Sequence, residues 1–192
     1  MIRSWVTFYE GRVFNSDYLN YAEKRYLPFI NKIRELIKPG DRVVEVGCGI
    51  ATITKILSEF DVFTGYRCFD INPDMVELAV KNLEPKNYPV EVGDCRQPIM
   101  CLPDVIHSHG LLEHFSDDEI RIILKQFAES GARASVHYVP GCRYEKPSFG
   151  DERLLPLETW LSFEPNEALT FNDGHDYILV WKNYVTPERL KD

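Results

Sequence analysis

The chain has no excess of positive charge. Its 22 Lys and Arg stand against 30 Asp and Glu, a formal net charge of −8 over 192 residues. A general nucleic-acid binder needs a basic stripe that displaces counterions from phosphates, so no nucleic acid is expected as partner and a small molecule fits better. Cysteine is sparse and odd in number: Cys48, Cys68, Cys95, Cys101 and Cys142, none in Cys-x-x-Cys spacing. Disulfide frameworks and zinc sites are therefore unsupported, and a reducing, cytoplasmic setting is expected. Cys48, Cys68 and Cys95 read as small buried thiols. No apolar run approaches the ~20 residues of a membrane span, so no membrane partner is expected. The first residues, Met1-Ile2-Arg3-Ser4-Trp5, lack the long apolar segment of a signal peptide. Internal repeats and low-complexity tracts are missing too. The length suits one domain with a sizeable core; a homo-oligomer is compatible with it.

What is present is more specific. Val43-Val44 leads into Glu45-Val46-Gly47-Cys48-Gly49-Ile50-Ala51, and Asp70 follows 21 positions after Gly49, at the end of a second apolar stretch. A strand running into a glycine-rich turn lets backbone N–H groups approach a ligand, and the following helix points its positive end at the same spot. An acidic side chain about 20 residues on, at the tip of the next strand, suits the two hydroxyls of a ribose. A nucleoside-containing cofactor is expected here. The dinucleotide fingerprint would place a third small residue at Thr52, where a β-branched side chain stands instead, so the fit to NAD is poor.

The pattern Glu-x-Gly-x-Gly-x-Ala resembles the first motif of class I S-adenosylmethionine-dependent methyltransferases, and three further segments match in order. Phe69-Asp70-Ile71-Asn72-Pro73 resembles the ribose-binding strand end, Val92-Gly93-Asp94-Cys95 the third strand end, and 104–115 the fourth strand with its exit loop. The likeness covers residues 41–139. It implies S-adenosylmethionine as cofactor, with Glu45, Gly47 and Gly49 at its methionine end, Asp70 and Ile71 at the ribose, Asp94 and Cys95 at the adenine, and His109 beside it. It implies an α/β fold, Rossmann-like and doubly wound: a mostly parallel seven-stranded sheet ending in an antiparallel hairpin, with helices on both faces. Residues 1–40 would form an N-terminal helical cap on a core of 41–192.

Periodicity and turn residues agree with that layout. Helices are expected over 16–26, with Ser16 as cap, and over 28–37, with Pro28 in the first turn and Ile30, Ile33 and Ile37 on one face. Strands are expected over 42–46, 66–70, 89–92, 104–108 and 134–139. They alternate with helices over 51–60, 73–83 and 117–129, the last opened by a capping box from Ser116 to Glu119. Asn172-Asp173-Gly174 separates two strand-like runs, 168–171 and 177–181, a hairpin signal.

Three segments should meet beyond the carboxyl ends of the strands: the N-terminal stretch with Tyr9, Phe14 and Tyr18, the loop from His109 to His114, and the long connection with Tyr144, Phe149, Trp160 and Phe163. A short helix is expected near 157–163. Tyr9 and Tyr18 suit a sulfonium, whose charge an aromatic face attracts. Methyl transfer to a hydroxyl or an ammonium needs a base. His114 and His109 are the candidates on the fourth-strand loop, His137 lies near the end of the fifth strand, and His107 reads as packed. Some similar methyltransferases hold a metal through Glu-x-x-Glu-His; here Gly110 takes the first Glu position, so no metal is expected. The Asn/Asp-Pro-Pro-Tyr of DNA-base methyltransferases is replaced by Ser108-His109-Gly110-Leu111. Seven acidic residues between Gly141 and Asp173 outnumber the basic ones, a hint of a cationic or neutral acceptor. The expected activity is methyl transfer from S-adenosylmethionine to a small molecule, the accepting atom being O, N or C. A non-catalytic cofactor-binding module of a complex and an NAD-dependent oxidoreductase are the alternatives.

Overall fold

Short β-branched and aromatic runs bounded by Gly, Pro and Asp make strands, and the 3.6-residue apolar periodicity between them makes helices. The computed structural model describes residues 5–60, 65–145 and 151–182. Its strands are β1 (Arg42–Val46), β2 (Gly65–Asp70), β3 (Val90–Val92), β4 (Val105–His109), β5 (Ala134–Pro140), β6 (Glu167–Phe171) and β7 (Asp176–Lys182). Its helices are α1 (Trp5–Tyr9), α2 (Ser16–Arg25), α3 (Leu27–Leu36), α4 (Thr52–Leu57), α5 (Pro73–Leu83), α6 (Asp117–Glu129) and α7 (Leu157–Leu161).

The strands form one sheet in the order β3-β2-β1-β4-β5-β7-β6. The first five are parallel; β7 lies antiparallel between β5 and β6. The Asn172–Gly174 turn that joins β6 to β7 has all three residues at positive φ, which Asn, Asp and Gly tolerate. The chain reverses direction across the sheet between β1 and β4, which opens a crevice beyond their carboxyl ends.

Alternation along the strands loads both faces. Val43, Cys68, Val105, Val136 and Tyr138 pack under α2 to α5, joined by Phe29, Ile30 and Ile33 of α3 and by Leu57 and Leu83. Val44, Val46, Ile106 and Leu179 pack on the other face against Ile120, Ile123 and Phe127 of α6 and against Trp160. Cys48, Cys68 and Cys95 are buried in these layers.

Some local expectations shift. Asn15, not Ser16, caps α2: its side chain accepts from the Tyr18 amide at 2.9 Å. The helix expected over 51–60 is shorter because Ala51 is left-handed, at φ 55°, and the chain turns again after Leu57. The capping box is formed as expected, Ser116 accepting from the Glu119 amide while the Glu119 carboxylate accepts from Ser116.

Candidate active site

A cavity of about 640 Å³ opens at the switch point between β1 and β4, a volume within the ~300–1,000 Å³ of small-molecule sites. The loops after β1, β2, β3 and β4 line it, together with α1, α2 and the chain after β5.

Glu45, Gly47, Gly49, Asp70, Ile71, Asp94, Cys95, His109 and His114 all lie on its wall. Gly47 has φ +64°, and a β-carbon there would stand 2.5 Å from Leu111 Cδ1, so the turn requires glycine both for its backbone and for the approach of the β4 loop. The Asp70 carboxylate ties two loops: Oδ2 accepts from the Gly49 amide at 2.8 Å and Oδ1 from the Asn72 amide at 2.9 Å. Partial burial raises its pKa while those amides pull the other way. With four acceptor sites and two used, it keeps capacity for a diol.

Asp94 is held by a residue outside the motif. Arg96 grips both its oxygens, with Nη2 2.8 Å from Oδ2, and reaches Glu119 with Nη1 at 3.0 Å. These hydrogen bonds hold the Asp94 carboxyl below its ordinary range. Burial pushes the neighbouring Cys95 thiol up to about 12, so it is an inert wall. Ile71 is 60% exposed, an apolar side chain left open over the crevice.

Glu45 is less accessible than its neighbours. Its Oε2 accepts from the Thr54 hydroxyl and from the Thr54 amide, so it serves the first turn of α4, where Ala51 offers no side-chain cap. Burial is the dominant influence and pushes Glu45 up to about 8. Beneath it, His107 bonds Tyr66 through Nε2 and has Nδ1 4.0 Å from Glu45 Oε1. Burial pushes His107 down to about 3, so the two meet as a neutral acid and a neutral imidazole.

The histidines separate by strand alternation. His137 points to the opposite face, with Nδ1 2.8 Å from the Ser108 hydroxyl and its ring stacked 5.2 Å from Phe127. It does not reach the cavity. His107 is packed, as expected. His109 stacks on Tyr138 at 4.5 Å and meets the edge of Tyr26 at 4.1 Å. Burial, then the nearby Arg25 charge, pushes it down to about 3, which makes it an aromatic wall and a poor base at neutral pH. His114 differs: 20% of its side chain is exposed, Nδ1 is 3.2 Å from Asp151 Oδ1, and the Trp5 ring meets it edge-on at 5.8 Å.

Of the expected aromatics, Tyr9, Tyr18 and Tyr144 line the cavity. Phe14 is exposed beside a smaller groove, and Trp160 and Phe163 belong to the core of the other sheet face. Phe149 lies outside the described residues. Tyr144 is anchored by Asp176, a fully buried carboxylate that also accepts from Tyr138 at 2.9 Å and pairs with Arg25 at 2.6 Å. Among the described residues no cluster of His, Cys, Asp and Glu suits a metal ion.

Sequence reasoning missed Glu113. It sits in the 3-10 turn Leu112–His114 after β4, is 3% exposed, and lines the cavity, yet its Oε2 has no hydrogen-bond partner. Burial, reinforced by Glu152 and Asp151, pushes it up to about 8. The signal was a carboxylate inside the apolar run Leu111-Leu112-Glu113-His114-Phe115.

Residues 18–183 match the family described as a methyltransferase domain. No curated protein matches the chain in sequence. Solved structures share its fold at low identity. The PH0226 protein of Pyrococcus horikoshii is 14% identical, with a TM-score of 0.72 over 88% of this chain and 93% of that one. A S-adenosylmethionine-dependent methyltransferase from Clostridium acetobutylicum is 11% identical, with a TM-score of 0.68 over 88% and 98%. The small RNA methyltransferase HEN1 is 14% identical, with a TM-score of 0.70 over 86% of this chain and 25% of that larger one. With the motif loops at the switch point and the family match across most of its length, the chain belongs to the class I S-adenosylmethionine-dependent methyltransferases.

Proposed function

We propose that this methyltransferase methylates a small molecule, with residues 1–40 as a helical cap over the cofactor crevice. The observation that carries the reading is the single cavity in which Gly47, Gly49, Asp70 and Asp94 face His114 and Glu113. The donor set fits S-adenosylmethionine. Asp70 offers lone pairs to ribose hydroxyls, Asp94 an acceptor to the adenine amine, and Ile71 and Cys95 apolar contact to the ring. Gly47 and Gly49 let the backbone approach the methionine end. Arg12, beside Tyr18 and Thr52, brings positive charge to that end for a carboxylate.

When bound, the cofactor supplies a methyl group already activated by its sulfonium. The protein's part is alignment and exclusion of water. Trp5, Tyr9 and Tyr18 line the cavity, and aromatic rings suit a cationic sulfur. His114 is the base: Asp151 engages Nδ1, which leaves Nε2 to take a proton. The acceptor would give that proton to Nε2, which frees its lone pair for the methyl group that bound S-adenosylmethionine would supply. His109, buried and neutral, supports the wall and is not the base.

Two competing readings have specific motives. The likeness to the small RNA methyltransferase HEN1 favours a nucleic-acid acceptor, which the net charge of −8 and the carboxylates at the cavity oppose. The dinucleotide-like turn favours NAD, which Thr52 opposes. Calorimetric titration with S-adenosylhomocysteine and with NAD in parallel separates them from the cofactor side. Micromolar binding of the first and none of the second is expected; the reverse would remove the methyltransferase reading of this cavity. Turnover of labelled methyl donor by the isolated chain then separates an enzyme from a binding module.

A further inference from the structure

Glu113 is held in one place. The Arg153 amide donates to its carbonyl at 2.9 Å, and Gly110, at φ +68°, brings the β4 loop so close that a β-carbon there would stand 3.2 Å from Glu113 Oε1. The side chain is buried on the cavity wall, and its Oε2 has no hydrogen-bond partner. A buried polar oxygen left unpaired is unfavourable unless a ligand completes it. The charged groups near it are already engaged. Asp151 pairs with His114 at 3.2 Å, Arg153 with Asp117 at 2.6 Å, and Glu152 is not free either. Burial, reinforced by Glu152 and Asp151, keeps the proton on Glu113 at neutral pH. An acid kept neutral in this way offers an O–H to a ligand oxygen as well as a lone pair. Its chain neighbour His114 presents the other half: with Nδ1 at Asp151, Nε2 is left to accept. Trp5, Tyr26, Phe115, Tyr138 and Tyr144 give the same cavity flat walls.

Resting on the proposed methyl transfer, we infer that the acceptor is an uncharged aromatic hydroxyl, its oxygen bound by the Glu113 carboxyl as donor and by His114 Nε2 as acceptor, so that oxygen is the atom methylated. A hydroxyl carries a donor and lone pairs on one atom and satisfies both groups. An ammonium has no lone pair for Glu113, a carboxylate has no proton for His114, and the nitrogen pair of a neutral arylamine is drawn into its ring. A phenol ionises at about pH 10, and a buried O–H donating to its oxygen favours the phenolate. The hydroxyl proton goes to His114 Nε2, which returns it to water. The oxygen is left as nucleophile for the methyl group of bound S-adenosylmethionine, with a methyl ether and S-adenosylhomocysteine as products. Glu113 keeps its own proton throughout.

Calorimetry on the full chain saturated with S-adenosylhomocysteine tests this with 4-ethylphenol and 4-ethylaniline, which match in shape and are both uncharged at neutral pH. The phenol is expected to bind at least about tenfold more tightly, as for a buried donor left unpaired by the amine. Glu113→Gln keeps an N–H donor and should keep a preference above about threefold, whereas Glu113→Leu has none and should fall below it. Both variants should hold S-adenosylhomocysteine within about twofold of the native chain. A native preference under tenfold, no binding of the phenol at millimolar concentration, a preference lost in Glu113→Gln, or one that survives in Glu113→Leu each overturns the inference. Loss in Glu113→Gln would mean that Glu113 acts as a carboxylate. The native-chain comparison stands even if a variant does not fold. Failure to bind S-adenosylhomocysteine would instead overturn the methyltransferase reading, and the inference with it, so the two failures are told apart.

Discussion

Each oxygen of the Asp70 carboxylate accepts one backbone amide, from Gly49 and from Asn72. Those bonds place a charged acceptor at the mouth of the crevice in one orientation, so it needs no reorganisation to receive a diol. Asp70→Ala removes that acceptor and the tie between the loops. S-adenosylhomocysteine should bind at least about tenfold more weakly, as for loss of a charge-assisted pair, by calorimetry. Unchanged affinity would remove the ribose role. Glu45 has the opposite character. It too is an acid at a strand end, but its carboxyl accepts from Thr54 and faces His107. Residue type and spacing alone do not distinguish the two, because what differs is which way the backbone turns after each strand.

At the scale of elements, the helix starts are the legible part. Asn72 accepts from the Asp74 amide at 2.9 Å at the start of α5, and the Ser116–Glu119 box opens α6. Helix α6 carries Ile120, Ile123 and Phe127 against the sheet, so fraying its first turn loosens that layer. Ser116→Ala should cost about 1 kcal/mol in urea unfolding with an unchanged slope, the usual loss for a side-chain cap. A change below 0.3 kcal/mol, on the order of a few tenths, would mean that Glu119 caps α6 alone. The strands show the other side. His107 and His109 share one face of β4, while Ser108 and His137 meet on the opposite face, because side chains alternate. That two-residue period, and not chemistry, removes His137 from the candidates.

For the whole molecule the buried titratable groups oppose one another. Burial pushes His107, His109 and His137 down to about 3 and Glu45 and Glu113 up to about 8. A depressed histidine stabilises the fold above its unfolded pKa of ~6.5, and that contribution is lost as pH falls through the folded value. A raised carboxyl stabilises it below ~4.3, and that contribution is lost as pH rises through the folded value. Between about 4.5 and 6.5 three histidines outweigh two carboxyls, so stability rises with pH; from about 6.5 to 8 only the carboxyls act, and it falls. Thermal unfolding should therefore peak near pH 6.5. A flat Tm from pH 6.5 to 8.5 would show Glu45 and Glu113 ionised in the folded chain.

The sequence by itself determined the alternation of strands and helices, the terminal hairpin, and the motif residues Gly47, Gly49, Asp70 and Asp94, all of which depend on neighbours close in the chain. Turn chemistry, capping and periodicity are local, so they are written where they act. The tertiary structure alone decided the reach of Arg96 to Glu119, the Arg25–Asp176 pairing across 151 positions, and the burial of Glu113 beside Asp151 and Glu152. These join residues from separate elements at the carboxyl edge of the sheet. The raised carboxyl of Glu113 follows from desolvation there, a property of the packed whole that no window of sequence contains.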